Sequence, residues 1–315
     1  MNRRIFLGLT TALALLPMSA FAQDKLPVVA SFSILGDMVA EVGGDRVAVS
    51  TLVGPDGDAH VYEPTPADAQ TVAAASVVFV NGLAFEGWLD RLIEASEYKG
   101  PVVVATTGVT ALEMAEEHHE GEEAHTEGEA EAEGHDHDHG GTDPHAWQSL
   151  ANARLYVANI AAGLTAADPE GAETYKANAT AYLAEIDAAE AEIIAAIAAL
   201  PADRRSVVTS HDAFGYFAAA YGMTFHAPEG LSTEAEPSAA DIATLITQMK
   251  AEAIPAVFME NITDSRLVEQ ITAETGAKVG GTLFSDALSG PDGPAATYLG
   301  MMRHNVATLT AALGS

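Results

Sequence analysis

Short runs of consecutive apolar residues alternate along this chain with stretches whose apolar positions recur every three or four residues. In the first half the runs are LPVVASF, RVAVSTLV, ASVVFV and PVVVA, all rich in valine and of strand length. Between them, residues 34–42, 66–75 and 86–95 carry helical spacing. The second half repeats this grammar. RSVVTS, GMTFHA, IPAVFME and AKVGGTLF read as strands, and residues 212–221, 238–252, 264–275 and 293–313 read as helices. Continuous apolar runs are what a strand needs when both faces of its sheet are covered, and strands alternating with helices imply parallel pairing. The pattern predicts an α/β fold of two similar lobes, each with a four-stranded, mainly parallel sheet flanked by helices.

Two longer helical stretches lie between the halves. One spans residues 147–164. The other is expected to start at Asp168-Pro169, a cap residue followed by proline at the first helical position, and to stop at Pro201. Tyr175, Tyr182, Leu183, Ile186, Ile193, Ile194, Ile197 and Leu200 form one apolar stripe along it. Residues 169–200 would span about 48 Å as one unbroken helix, a rigid spine between lobes. The expected division is residues 23–165 for the first lobe, 166–200 for the linking helix and 201–315 for the second lobe.

Two segments break the pattern. Residues 1–22 combine a basic start, MNRR, with a short apolar run and the small-x-small site Ala20-Phe21-Ala22. This reads as a secretory signal cleaved after Ala22, which places the protein in the periplasm. Arg3-Arg4 also gives it the look of a twin-arginine signal. Residues 113–141 are crowded with Glu, Asp, Gly and His and nearly free of apolar side chains. Such a segment buries too little surface to offset its ordering entropy and is expected to be a mobile loop.

Composition narrows the chemistry. The formal charge is −31, and −33 once Arg3 and Arg4 are removed. That surface disfavours nucleic acid and anionic lipid and favours cations. There is no cysteine, so the sequence offers no disulfide, lipid-bearing thiol or thiolate ligand. Any metal must be held by imidazole and carboxylate.

His60 (in DGDAHVYEPTP), His145 (in DPHAW), His211 (in SHDAFGYF) and Asp286 (in FSDALSG) stand far apart, near strand ends or at re-entry from the acidic segment. Ligands in open α/β sheets gather at carboxyl ends of strands. Three imidazoles and one carboxylate complete the tetrahedral shell zinc adopts when no position is left open. A lone loop aspartate more often caps a helix, so Asp286 enters because three histidines leave one place to fill. Glu260, ending IPAVFME, competes for that place or accepts a hydrogen bond from a ligating imidazole; Glu63 is a weaker competitor. Asp143 is placed to cap the helix after DPHAW, and Asp212 to cap or to orient His211. His226 and His304 are assigned to structure or surface. His118, His119, His125, His135, His137 and His139 form an auxiliary, weaker set in the acidic segment.

Together these motifs resemble the metal-binding solute receptors of ABC importers, the cluster that includes ZnuA-like zinc proteins and manganese-binding relatives. GPDGDAHVYEPTPAD, VNGLAFEGWLD, DPHAW, SHDAFGYFAAAYG, Glu236-Pro237-Ser238, VFMEN and AETGAKV follow that family's order over nearly the whole chain past the signal. The resemblance implies two α/β lobes joined by a long helix, with the metal in the cleft. It implies His60 and His145 as first-lobe ligands, and His211 and Asp286 as second-lobe ligands. Manganese-type members generally carry glutamate at the third place, so His211 implies Zn2+ as transported ligand. The acidic segment is similar to loops common in zinc-type members. The second-lobe disulfide of some zinc-type members has no counterpart here.

The implied partners are the importer's membrane permease and a periplasmic zinc chaperone, and the expected state is a monomer without enzyme activity. Three other readings stay open. One is a manganese or iron receptor on the same fold, and another an exported zinc hydrolase using Glu260 as base. The third is a zinc buffer or adhesin. No nucleophile elbow or HExxH helix supports the hydrolase.

Overall fold

The computed structural model describes residues 24–113 and 141–314. The signal segment and all six histidines of the acidic segment lie outside the described residues. The first sheet holds β1 (Leu26–Phe32), β2 (Val47–Val53), β3 (Val77–Val80) and β4 (Val102–Val104) in the order β2-β1-β3-β4. The second holds β5 (Ser206–Val208), β6 (Thr224–His226), β7 (Ala256–Glu260) and β8 (Lys278–Leu283) in the equivalent order β6-β5-β7-β8. Every pairing is parallel.

Apolar content follows place in the sheet. Central β1 is buried from Val28 to Phe32 and all four residues of β3 are buried, whereas edge strands β2, β4 and β6 expose alternate or most positions. β7 and β8 slip register between Val257 and Phe258. Gly280 of β8 lies against the Phe258 ring, where a Cβ would come within 2.3 Å of it, and Gly281 next to it has φ +132°. That pair lets β8 pass the ring and deliver the segment bearing Asp286.

Local chemistry sets the helix ends. α1 (Ser33–Gly43) buries Ile34, Leu35, Met38, Val39 and Val42 on one face and stops before Gly44 at φ +55°. α2 (Pro66–Ala73) starts at a Thr65–Asp68 capping box with proline in its first turn. α3 spans Leu89–Ala95, α4 Leu150–Ala167 and α5 Ala172–Ala198. α6 spans Gly215–Tyr221, and α7 (Ala239–Glu252) opens on a Ser238–Asp241 capping box. α8 covers Arg266–Thr275 and α9 covers Tyr298–Leu313.

The joining helix is α5, 27 residues and about 40 Å long. It is shorter than expected because residues 169–171 form a separate 3-10 turn. Asp168 makes no side-chain cap; its carboxylate accepts from Arg46 at 2.7 and 2.9 Å and from the Tyr175 hydroxyl at 2.7 Å. Tyr175, Tyr182, Ile186, Ile193 and Ile197 are buried along α5, which packs against α1, α4 and α9.

The buried apolar side chains form one large core running from the first sheet through α1, α4, α5 and α9 to one face of the second sheet. A smaller cluster of Val208, Leu245, Met249, Ile254, Val257, Val268 and Ile271 fills the other face, under α7 and α8. Strand alternation divides them: Val207 and Phe258 belong to the large core, Val208 and Val257 to the small one. Among the described residues no helix is long and apolar enough to cross a membrane.

Candidate metal centre

Each of the four widely spaced residues is presented by a loop braced against its neighbours. His60 ends a tight turn after β2, where Asp58 Oδ1 accepts its backbone N–H at 2.8 Å. The Trp88 indole donates to the Ala59 carbonyl at 2.8 Å, and Phe85 meets the His60 ring edge-on at 4.9 Å. His145 follows Pro144, whose carbonyl accepts from Asn81 Nδ2 at 2.9 Å. Asp143 accepts the His145 backbone N–H at 2.9 Å and sits 2.8 Å from its Nδ1. His211 lies just past β5; Glu260, at the end of β7, accepts the backbone N–H groups of Ser210 and His211 at 2.8 and 2.9 Å. The other Glu260 oxygen lies 2.7 Å from His211 Nδ1. Asp286 follows β8, and the carbonyl before it, from Ser285, accepts from Trp147 Nε1 at 2.9 Å and Gln148 Nε2 at 2.8 Å.

These loops bring His60, His145, His211 and Asp286 into one buried cluster, with one donor atom from each inside a 4.8 Å circle. Asp286 Oδ2 lies 3.1 Å from His60 Nε2 and 3.2 Å from His211 Nε2; Oδ1 lies 3.6 Å from His145 Nε2. The Nε2 atoms of His60 and His145 are 3.4 Å apart. Donors set tetrahedrally at about 2.0–2.2 Å from a zinc ion stand about 3.3–3.6 Å from one another. These four separations, 3.1 to 3.6 Å, are close to the edge length of such a tetrahedron.

Charge in the cluster favours a cation. Burial opposes protonation of His145, but the Asp286 and Asp143 carboxylates outweigh it and lift the ring to about 9. Burial opposes protonation of His211 as well, and Glu260 and Asp286 hold it well above the usual imidazole value. Asp286 is pushed up by burial and pulled further down by His145 and His211, ending well below the carboxylate range. Both Asp286 oxygens and both His211 ring nitrogens are buried without a hydrogen-bond partner of good geometry among the described residues. These are residues that could hold a divalent ion, which would supply both the charge and the bonds. Asp143 and Glu260 sit at Nδ1 of their histidines and select the tautomer that turns the Nε2 lone pair inward.

Other sequence expectations fall elsewhere. Glu260 stands behind His211 as a support, and that support comes from Glu260, not from Asp212, whose backbone N–H is spent on the Gly230 carbonyl. Glu63 is exposed on the far side of the His60 loop. His226 bonds Ser206 and Gln248, and His304 faces the Thr282 carbonyl and Thr308. Asp143 braces His145; the helix that follows, α4, begins only at Leu150. Asn81 and Glu86 were passed over. Glu86 is fully buried, accepts from Ser31 and from the backbone of Asn81 and Gly82, and fixes the turn that carries Phe85. The signal available for them was a buried polar pair inside an otherwise apolar VNGLAFEGW run.

A cavity of about 820 Å³ lies between α2 and α3 beside Tyr62 and Trp88 and touches none of the four residues. A cation wrapped by four donors needs no such void. A cavity of about 550 Å³ reaches the outer edge of His60 and is lined by Phe85, Thr142, Pro144, Leu231, Ser232 and Glu234 among others.

A family model described as zinc-uptake complex component A, periplasmic, matches residues 28–312. The manganese-binding lipoprotein MntA of Halalkalibacterium halodurans is 33% identical over 290 residues, 92% of this chain and 89% of that protein. The iron-binding protein YfeA of Yersinia pestis is 32% identical over 92% of this chain and 87% of its own length. The periplasmic zinc-binding protein TroA of Treponema pallidum matches in structure with a TM-score of 0.81 at 28% identity, over 92% of this chain and 99% of its own.

Proposed function

The chain belongs to the zinc-uptake complex component A family of periplasmic metal receptors that serve ABC importers, and on that premise we propose that it is a high-affinity zinc receptor whose ion is held by His60, His145, His211 and Asp286. The observation that carries this reading is the convergence of three buried imidazole nitrogens on one buried carboxylate, at 3.1 to 3.6 Å from its oxygens. Nitrogen-rich shells suit zinc, whereas manganese prefers more oxygen donors. The ion is cargo. It sheds its waters on entry, is held at the usual bond length of about 2.0–2.2 Å, and is given up to the membrane permease. A periplasmic chaperone as loader and a monomeric state belong to the same reading.

Zinc over other metals is tested by competition. Purified metal-free protein given equal zinc, manganese and ferrous iron should retain zinc, identified by elemental analysis of the complex; retention of manganese or iron with zinc excluded would overturn the assignment. That second outcome has support in the manganese- and iron-binding names of two relatives. The hydrolase reading loses its base: Glu260 spends one oxygen on two backbone N–H groups and the other on His211.

The continuous core through α5 favours rocking and loop movement over a wide clamshell closure. Metal-free and zinc-bound structures differing by tens of degrees in lobe orientation would refute this. The histidines of residues 113–141 are proposed to capture zinc weakly near the cleft, a role resting on their composition alone.

A further inference from the structure

The loop carrying His60 leaves the first sheet, yet the second lobe grips it. Asp56 donates its N–H to the Leu288 carbonyl at 2.8 Å and accepts from Asn261 Nδ2 at 3.0 Å. Asp58 Oδ2 accepts the Thr233 hydroxyl at 2.6 Å, across 175 positions of sequence. The remaining Asp58 oxygen is the one that holds the His60 N–H. Thr233 sits in the second-lobe segment that supplies Leu231, Ser232 and Glu234 to the cavity at the edge of His60. One carboxylate therefore ties the wall of the metal's entrance to the backbone of one of its ligands.

Resting on the zinc-receptor reading, we propose that Asp58 is a positioning residue that couples opening of this entrance to withdrawal of His60. When the segment around Thr233 moves outward, the Asp58 carboxylate loses its Thr233 anchor and with it its hold on the His60 N–H, and that imidazole is freed to leave the shell. While the segment is seated, the same bond holds His60 in place. The divalent ion then leaves through a route that is open only when the shell is already broken. Asp58 acts through His60 and touches no cargo.

The test is zinc dissociation into excess chelator, followed by stopped flow on the full chain, with thermal melting of the metal-free protein alongside. Thr233→Val keeps the side chain's shape and removes the hydroxyl; it should speed zinc loss by about tenfold or more with little change in melting. Thr233→Ser restores the hydroxyl and should return the rate to that of the parent. Asp58→Ala removes the bond to the His60 N–H as well and should speed loss further, and Thr233→Val added to it should change nothing more, because the Thr233 hydroxyl acts only through the Asp58 carboxylate. Cobalt(II) in Thr233→Val should keep its tetrahedral visible spectrum, showing that the shell forms and only its lifetime falls. Dissociation from Thr233→Val within about twofold of the parent, or effects of the two substitutions that multiply, would overturn the coupling. His60→Ala separates the levels: zinc retention unaffected by it would sink the metal site itself, whereas tightness lost in His60→Ala and kept in Thr233→Val sinks only the coupling.

Discussion

Lowering the pH from 8 to 6 should loosen zinc binding by at least about two orders of magnitude, or about 2.7 kcal/mol. The magnitude comes from the rings. His145 is lifted to about 9 and His211 lies well above its ordinary value. His145 therefore carries a second ring proton in the metal-free protein through this interval, and the carboxylates around His211 push it toward the same charged form. Each must lose its Nε2 proton to bind the ion while keeping the Nδ1 proton on Asp143 or Glu260. Each proton displaced per ion gives about tenfold in affinity per pH unit, so His145 alone sets the lower bound. A competition titration against a chelator of known proton affinity measures the slope. Calorimetry in buffers of different ionisation enthalpy counts the protons directly. The metal-free protein must show the opposite trend. A base whose folded value is raised lends stability that is whole below about 6.5 and fades as pH climbs through about 9, here about 3 kcal/mol from His145 alone. Its melting temperature should thus fall between pH 6 and pH 9.5 while zinc affinity climbs. An affinity slope below tenfold per pH unit, with no proton release, would refute imidazole ligation.

Replacing His211 by Ala should weaken zinc by at least about 100-fold, whereas His226→Ala, which removes only bonds to Ser206 and Gln248, should stay within about twofold. Chelator competition distinguishes the two. Glu260→Gln keeps an acceptor for the Ser210 and His211 N–H groups but gives up the charge at His211 Nδ1; a loss of about 10–100-fold in affinity with an unchanged circular dichroism spectrum is expected. Deleting residues 116–140 should leave one tight zinc per chain and lower the total zinc taken up at excess metal, read by elemental analysis after desalting.

The strands were legible because burial on both sheet faces writes unbroken valine-rich runs, as in the fully buried β3. Helix starts were less so, since tertiary partners claimed the residues that resemble caps. Asp168 goes to Arg46 and Tyr175, and Asp212 lies in the stretch that pairs with Glu229 and Gly230, with α6 starting at Gly215. Residues 290–297, GPDGPAAT, extend the loop until Thr297 caps α9 at the Gly300 N–H. Asp286 ranks above Glu260 in the sequence only through the place that three histidines leave to fill and the family resemblance, since Glu260 ends β7 and Asp286 lies just past β8 of the same sheet. Their roles part only through the half-turn of chain that sets Glu260 behind His211 and Asp286 among the three rings. The far ends of the braces, Pro144 for Asn81, Ser31 for Glu86 and Thr233 for Asp58, lie 55 or more positions away and leave no local pattern.

The small apolar cluster under α7 and α8 has a thermodynamic consequence of its own. It is sealed from the large core by the second sheet and rests on seven buried side chains. Amides of α7 and α8 should exchange with deuterium through a partial opening of lower free energy than the one that releases α1, α4 and α5. Because the Glu260 carboxylate ends the strand shared by both clusters, an ion locked to His211 would be felt as slowed exchange on that outer flank, many residues from any donor atom.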